Sequence, residues 1–167
     1  EKYLSYDLFQ KMTSQAFTYF GALFGREYPF EKLDHVYCPE FNVGAMENVG
    51  LITYTERYMF RSTPTPSDVT DLAEVVFHEI AHMWFGNLVT MRWWDDLWLN
   101  ESFATYAAAL CLTEGSEHTT AWQEFNVQLK RWSLIEDDSP TTHPIAGTVA
   151  DTDQTFLNFD GITYGKG

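Results

Sequence analysis

The sequence predicts an α+β domain in which a small sheet is followed by helices. Two short strand-like runs lie near residues 33–37 and 49–54. Helical spacing dominates after Pro64, and stretches rich in proline and glycine separate the two regions.

A helix leads the chain over about residues 4–24, because Leu4, Leu8, Phe9, Met12, Ala16, Phe20 and Leu23 recur at spacings near three and four, up to a stop at Gly25. The two strands follow, with a turn-rich stretch around Pro39 and Gly44 between them. Residues 64–67 break the chain and start the next helix: Thr65 can cap, Pro66 suits the first helical position, and Asp68 stands three after the cap. This helix is expected to run to Gly86. An alanine-rich helix follows over about residues 97–112, ending near Gly115. Ser116 could cap another, reaching Ile135 before Glu136-Asp137-Asp138-Ser139-Pro140 breaks it, and residues 139–161 read as irregular. There is no internal repeat and no low-complexity linker.

With 167 residues, 45% of them hydrophobic and 17% aromatic, the chain can bury one core. No apolar run is long enough to cross a membrane, and Glu1, Lys2 and Tyr3 do not read as a signal peptide. The chain begins without Met and stops at Gly165-Lys166-Gly167, so it reads as part of a longer protein whose targeting these residues do not report. A net charge of −14 repels phosphate backbones and argues against nucleic acid as a partner; otherwise it speaks mainly to solubility. Cys38 and Cys111 make neither a disulfide framework nor a CxxC pair and are expected to be core thiols.

The first chemical signal is His78-Glu79-Ile80-Ala81-His82, inside a predicted helix. Residues four apart share a helix face, so both imidazoles can reach one zinc ion, with Glu79 beside them to take a proton from the attacking water. The alternative is a pair of core histidines spaced by chance. A catalytic zinc needs a third protein ligand, and Glu101 offers it 19 positions after His82 on the returning helix, in an apolar setting where a lone carboxylate is costly. Otherwise Glu101 is a capping or solvent-facing residue. The second signal is Gly44-Ala45-Met46-Glu47-Asn48, just before a strand. By itself this is a turn with a polar tail; it could equally let an extended peptide lie along the strand edge, with Glu47 facing the group that ends the peptide.

Together these residues resemble the zinc aminopeptidases of the aminopeptidase N family, within the gluzincins. The matching motifs are GAMEN at 44–48, HEIAHMWFGNLVT at 78–90, WWDDLWLNESFATY at 93–106 and FDGITYGKG at 159–167, and they span almost the whole chain. The resemblance implies one zinc held by His78, His82 and Glu101, with Glu79 as general base. It implies that Glu47 holds the free α-amino group, with Gly44, Ala45, Met46 and Asn48 around the substrate, and that Tyr164 stabilises the oxyanion from the start of a helix. The implied substrates are peptides with a free amino terminus. The implied fold is a thermolysin-like zinc metallopeptidase catalytic domain, here partial over residues 1–167, with the flanking amino-terminal β domain and carboxy-terminal helical domain absent from this chain.

Other polar residues carry less chemistry. His35, His118 and His143 have no metal spacing to a partner and read as structural or surface residues. Glu74, Asp95 or Asp96 could orient a ligating imidazole. Trp84, Trp93, Trp94 and Trp98 read as core and pocket wall. Two rival functions are a thermolysin-like endopeptidase, which has no reason to carry GAMEN, and a non-catalytic scaffold, which would be expected to lose ligands or the base. Lipid epoxide chemistry is a third. The ERYMFRS (56–62) and NFDGITYGKG (158–167) stretches are similar to cytosolic members, which makes a cytoplasmic location the expectation.

Overall fold

The leading helix α1 (Tyr6–Leu23) buries Met12, Ala16 and Phe20, one face at a spacing of four. The computed structural model describes residues 6–167; Leu4, the first expected position of this helix, and the residues before it lie outside the described residues. The glycine stop is as expected: Gly25 takes φ 65°, and the Arg26 N–H closes the end on the Gly21 carbonyl at 3.1 Å.

The sheet has the order β1-β3-β2, with β1 (Asp34–Cys38) parallel to β3 (Leu51–Thr55) and β2 (Ala45–Met46) antiparallel to it on the other side. Ile52 and Tyr54 of the central strand are fully buried at alternate positions. Both expected strands are present, shifted by one or two residues. The two-residue β2 was not expected, being too short to show alternation. It makes Ala45 and Met46 an edge of the sheet and pairs them with Tyr54 and Thr53.

Helix α2 (Pro66–Ala81) starts as its sequence dictates. Thr65 Oγ1 accepts from the Asp68 N–H, and the Asp68 carboxylate accepts from the Thr65 N–H at 2.7 Å, a reciprocal cap worth about 1 kcal/mol. Its end differs from expectation. The α-helix stops at Ala81, with His82 as the capping residue, and the Met83 and Trp84 N–H groups reach back only three residues, to Ile80 and Ala81. The chain then reverses at Gly86, whose φ of 133° is open to glycine and strained for other residues; a Cβ there would lie 2.3 Å from Asn100 Oδ1.

This reversal lets α3 (Leu97–Gly115) return against α2. Helix α3 also packs against α1 and the C-terminal turn, so it is buried on several sides and lacks a polar stripe. Ala104, Ala107 and Ala108 allow the close approach, next to buried Cys111. Cys38 is half-buried, and both thiols are free.

The helix expected from Ser116 begins later. Ser116 belongs to the end of α3, where its hydroxyl donates to the Leu112 carbonyl, and the next helix starts at Ala121. It runs as α4 (Ala121–Phe125), a π-helical stretch (Asn126–Lys130) and α5 (Arg131–Asp137). Residues 139–161 are not wholly irregular, since the Asp151 side chain caps a short α6 (Thr152–Phe156). Helix α7 (Gly161–Gly165) closes the chain, capped by Asp160, which accepts from Ile162 and Thr163 N–H at 3.0 Å each. Among the described residues no helix is long and apolar enough to cross a membrane.

Candidate metal centre

Three elements converge beside the sheet edge. Helix α2 brings His78, Glu79 and, at its cap, His82; α3 brings Asn100 and Glu101 from near its start; the stretch after β2 brings Glu47. His82 Nε2 lies 3.0 Å from His78 Nε2, and Glu101 Oε2 lies 3.3 Å from His78 Nε2 and 3.6 Å from His82 Nε2. All three side chains are largely or fully buried.

The far nitrogens of both rings face acceptors. His82 Nδ1 is 3.1 Å from the Phe85 carbonyl oxygen. His78 Nδ1 is 3.3 Å from Thr105 Oγ1, whose own hydrogen goes to the Glu101 carbonyl at 2.8 Å. Each ring is therefore set to carry its proton on Nδ1 and to turn a bare Nε2 inward, as metal-ligating histidines do.

The donor set fits zinc. Bonds of 2.0–2.1 Å in a tetrahedron hold donors about 3.3–3.4 Å apart, which is the mean of the three separations here. Two imidazoles and one carboxylate also leave a fourth position open. Two bare nitrogens at 3.0 Å repel unless a cation lies between them. A second set, Glu47, Glu79 and His82, is also close enough to share an ion. It shares only His82 with the first and is mainly acidic.

The electrostatics gather three carboxyl groups at one place. Burial pushes Glu79 up to about 8, and one of its oxygens, Oε2, is buried without a partner. Burial also opposes ionisation of Glu101, but the two imidazoles against its Oε2 outweigh it and hold this carboxyl well below the usual range. Burial lowers His78; at His82 the contact with Glu101 outweighs burial and acts the other way, drawing positive charge to Nε2. Three carboxylates thus surround two imidazoles, a setting that favours added positive charge.

Tyr164 sits opposite, its ring stacked on His78 at 5.9 Å between centroids and 20° between planes. Burial, with the charge of Glu101, keeps its phenol protonated far above the usual range, so it is a donor at neutral pH. The short helix that carries it is held at both ends. Glu136 accepts from the Gly161 N–H, Ser102 donates to the Thr163 carbonyl, and Lys130 donates to the Gly165 carbonyl.

His78, Glu79, Thr105 and Tyr164 open onto a cavity of about 820 Å³, with Gly44 and Ala45 of the sheet edge in its wall. The other residues of that segment are placed differently. Glu47 is anchored through its carbonyl by Asn87 Nδ2 at 2.8 Å and through its carboxylate by Asn100. Met46 is exposed, and Asn48 turns its amide onto the Met46 carbonyl and the Thr53 hydroxyl of β3.

Several expected helpers are elsewhere. Asp95 accepts from the Val149 N–H and Asp96 from the Trp98 indole, while Glu74 lines the cavity, pushed up to about 7 by burial. The partners of the two imidazoles are instead Thr105 and the Phe85 carbonyl, which the sequence reading missed. Thr105, one turn after Glu101 on the same helix face, was the available signal. The tryptophan in the cavity wall is Trp132, whereas Trp84 is core and bonds the Arg26 carbonyl. His35 bridges Thr13 and Tyr54, His118 meets Thr70, and His143 pairs with Asp160, so all three are structural as expected.

Comparison with known proteins places the chain in a family. The peptidase family M1 domain matches residues 9–167. The chain is 48% identical over 168 residues to aminopeptidase N of Streptomyces lividans, which covers 99% of the chain and 20% of that protein. It is 44% identical over 162 residues to glutamyl aminopeptidase of Homo sapiens, covering 93% of the chain and 16% of the relative. It is 39% identical over 158 residues to leucyl aminopeptidase of Saccharolobus solfataricus, covering 94% and 20%. The chain thus spans a fifth or less of the length of these curated relatives.

Proposed function

Because the chain belongs to peptidase family M1, we propose that it forms the catalytic core of a zinc-dependent aminopeptidase that removes the amino-terminal residue from peptides, on a thermolysin-like fold. The observation that carries this reading is the meeting of Glu47, Glu79 and Glu101 around the inward nitrogens of His78 and His82. Two kinds of positive charge answer it: a metal ion among His78, His82 and Glu101, and the ammonium group of a peptide beside Glu47. An endopeptidase would have no ammonium to place there, and a scaffold would have no use for the whole set.

His78, His82 and Glu101 hold the zinc. When bound, it supplies Lewis-acid polarisation of the scissile carbonyl and acidifies a water toward neutral pH. Glu79 takes the proton of the attacking water and returns it to the leaving amine. The peptide adds to the open edge at β2 along Ala45, the Gly44 carbonyl being taken by the Thr55 N–H. Glu47 binds its ammonium group in a charge-assisted hydrogen bond, so that the bond after the first residue lies at the site. Tyr164 donates to the oxyanion as it develops.

Tyr164→Phe retains the ring against His78 and removes the donor. Turnover of the intact protein should fall about a hundredfold to a thousandfold, with zinc content and KM little changed. Turnover near that of the wild type would take Tyr164 out of the mechanism.

The test of the overall reading compares a peptide with its amino-acetylated form in the intact protein. Wild type should cleave only the free amine, and Glu47→Ala should lose about 2–4 kcal/mol of that discrimination. Equal cleavage of both forms by the wild type would refute aminopeptidase action. Full discrimination by Glu47→Ala would leave Glu47 a turn residue.

A further inference from the structure

Asn100 is 7% exposed and precedes Glu101 near the start of α3. Its amide nitrogen carries two hydrogens and has two carboxylate partners: Glu101 Oε1 at 2.9 Å and Glu47 Oε1 at 3.3 Å. The Glu101 oxygen it touches is not the one that faces the imidazoles, which is Oε2. The amide therefore bridges the back of one carboxylate to the front of another, across 53 positions of sequence.

Its orientation is fixed by chemistry. Only the NH₂ edge can serve two carboxylates, since a carbonyl turned toward them would repel both. The carbonyl oxygen lies on the opposite side against Gly86, where a Cβ would come within 2.3 Å. The glycine that reverses the chain after α2 thus also makes room for the amide.

We propose that Asn100 is a positioning residue that holds the Glu47 carboxylate in register with Glu101. It thereby sets the distance between the substrate ammonium group and the reacting carbonyl. The inference rests on the reading of Glu47 as the amine anchor. Asn100 acts through Glu47 and does not touch the substrate.

The test is a double-mutant cycle in the intact zinc enzyme, reading KM and kcat on an aminoacyl substrate with a free amine. Asn100→Ala removes the bonds to both Glu47 and Glu101; losing the first, one hydrogen bond to a charged group, should raise KM about tenfold, with a smaller fall in kcat. In a Glu47→Ala background the same change should alter KM less than twofold. Asn100→Asp keeps the shape and replaces the donor with a further carboxylate against Glu47 and Glu101, so it should be at least as damaging. Should the alanine variant not fold, the aspartate variant carries the same cycle. Equal effects of Asn100 substitution with and without Glu47 would overturn the proposal, as would an Asn100→Asp enzyme with a normal KM. An unchanged KM in Glu47→Ala alone would refute the amine-anchor reading, and the proposal with it.

Discussion

Glu79→Gln is expected to leave a folded protein that binds zinc as the wild type does and turns over about a thousandfold to ten-thousandfold more slowly. The substitution preserves shape and hydrogen-bonding capacity but removes the proton acceptor. Glu79 is 6% exposed and its Oε2 has no partner among the protein groups, so no structural bond depends on its charge. Removing a buried charge that burial already disfavours should not destabilise the fold. The measurement is kcat at saturating substrate alongside metal analysis. Retained zinc with lost turnover fits a base outside the ligand set. Zinc lost together with turnover would instead assign the ion to the second set, Glu47, Glu79 and His82.

What was legible in the sequence was what depends on neighbours along the chain. The start of α2 was readable because Thr65, Pro66 and Asp68 settle it within four residues. The pairing of His78 with His82 followed from helical spacing alone. Glu101 was harder, because its arrival depends on α2 and α3 packing together, and alanines at 104, 107 and 108 make that contact possible.

The rest is set by tertiary contacts. The end of α2 at Ala81 and the two-residue β2 leave no periodic trace. Ser116 offered a good cap, but its hydroxyl is committed to Leu112. Thr105 and the Phe85 carbonyl orient the rings across elements, and Asn87 reaches the Glu47 carbonyl over 40 positions. Local pattern therefore pointed to His78, Glu79 and His82, while the groups that aim them emerged only from the packing of α2 against α3 and the sheet edge.

The second large effect is expected from Glu101→Ala, and it bears on the central claim that His78, His82 and Glu101 hold one zinc ion. Glu101 is 3% exposed and its Oε2 lies against Nε2 of both histidines, so on this account its loss removes the one carboxylate of the donor set. Changing a residue that merely supports a ligand costs ten- to a hundredfold in metal affinity, so losing the ligand itself should cost at least about a hundredfold. The decisive measurement is zinc content per chain of the intact protein, wild type and Glu101→Ala, after equilibration against a series of chelator concentrations. One zinc per wild-type chain, with retention in Glu101→Ala collapsing at chelator levels at least about a hundredfold lower, is the predicted result. Superimposable retention curves for the two proteins would contradict it.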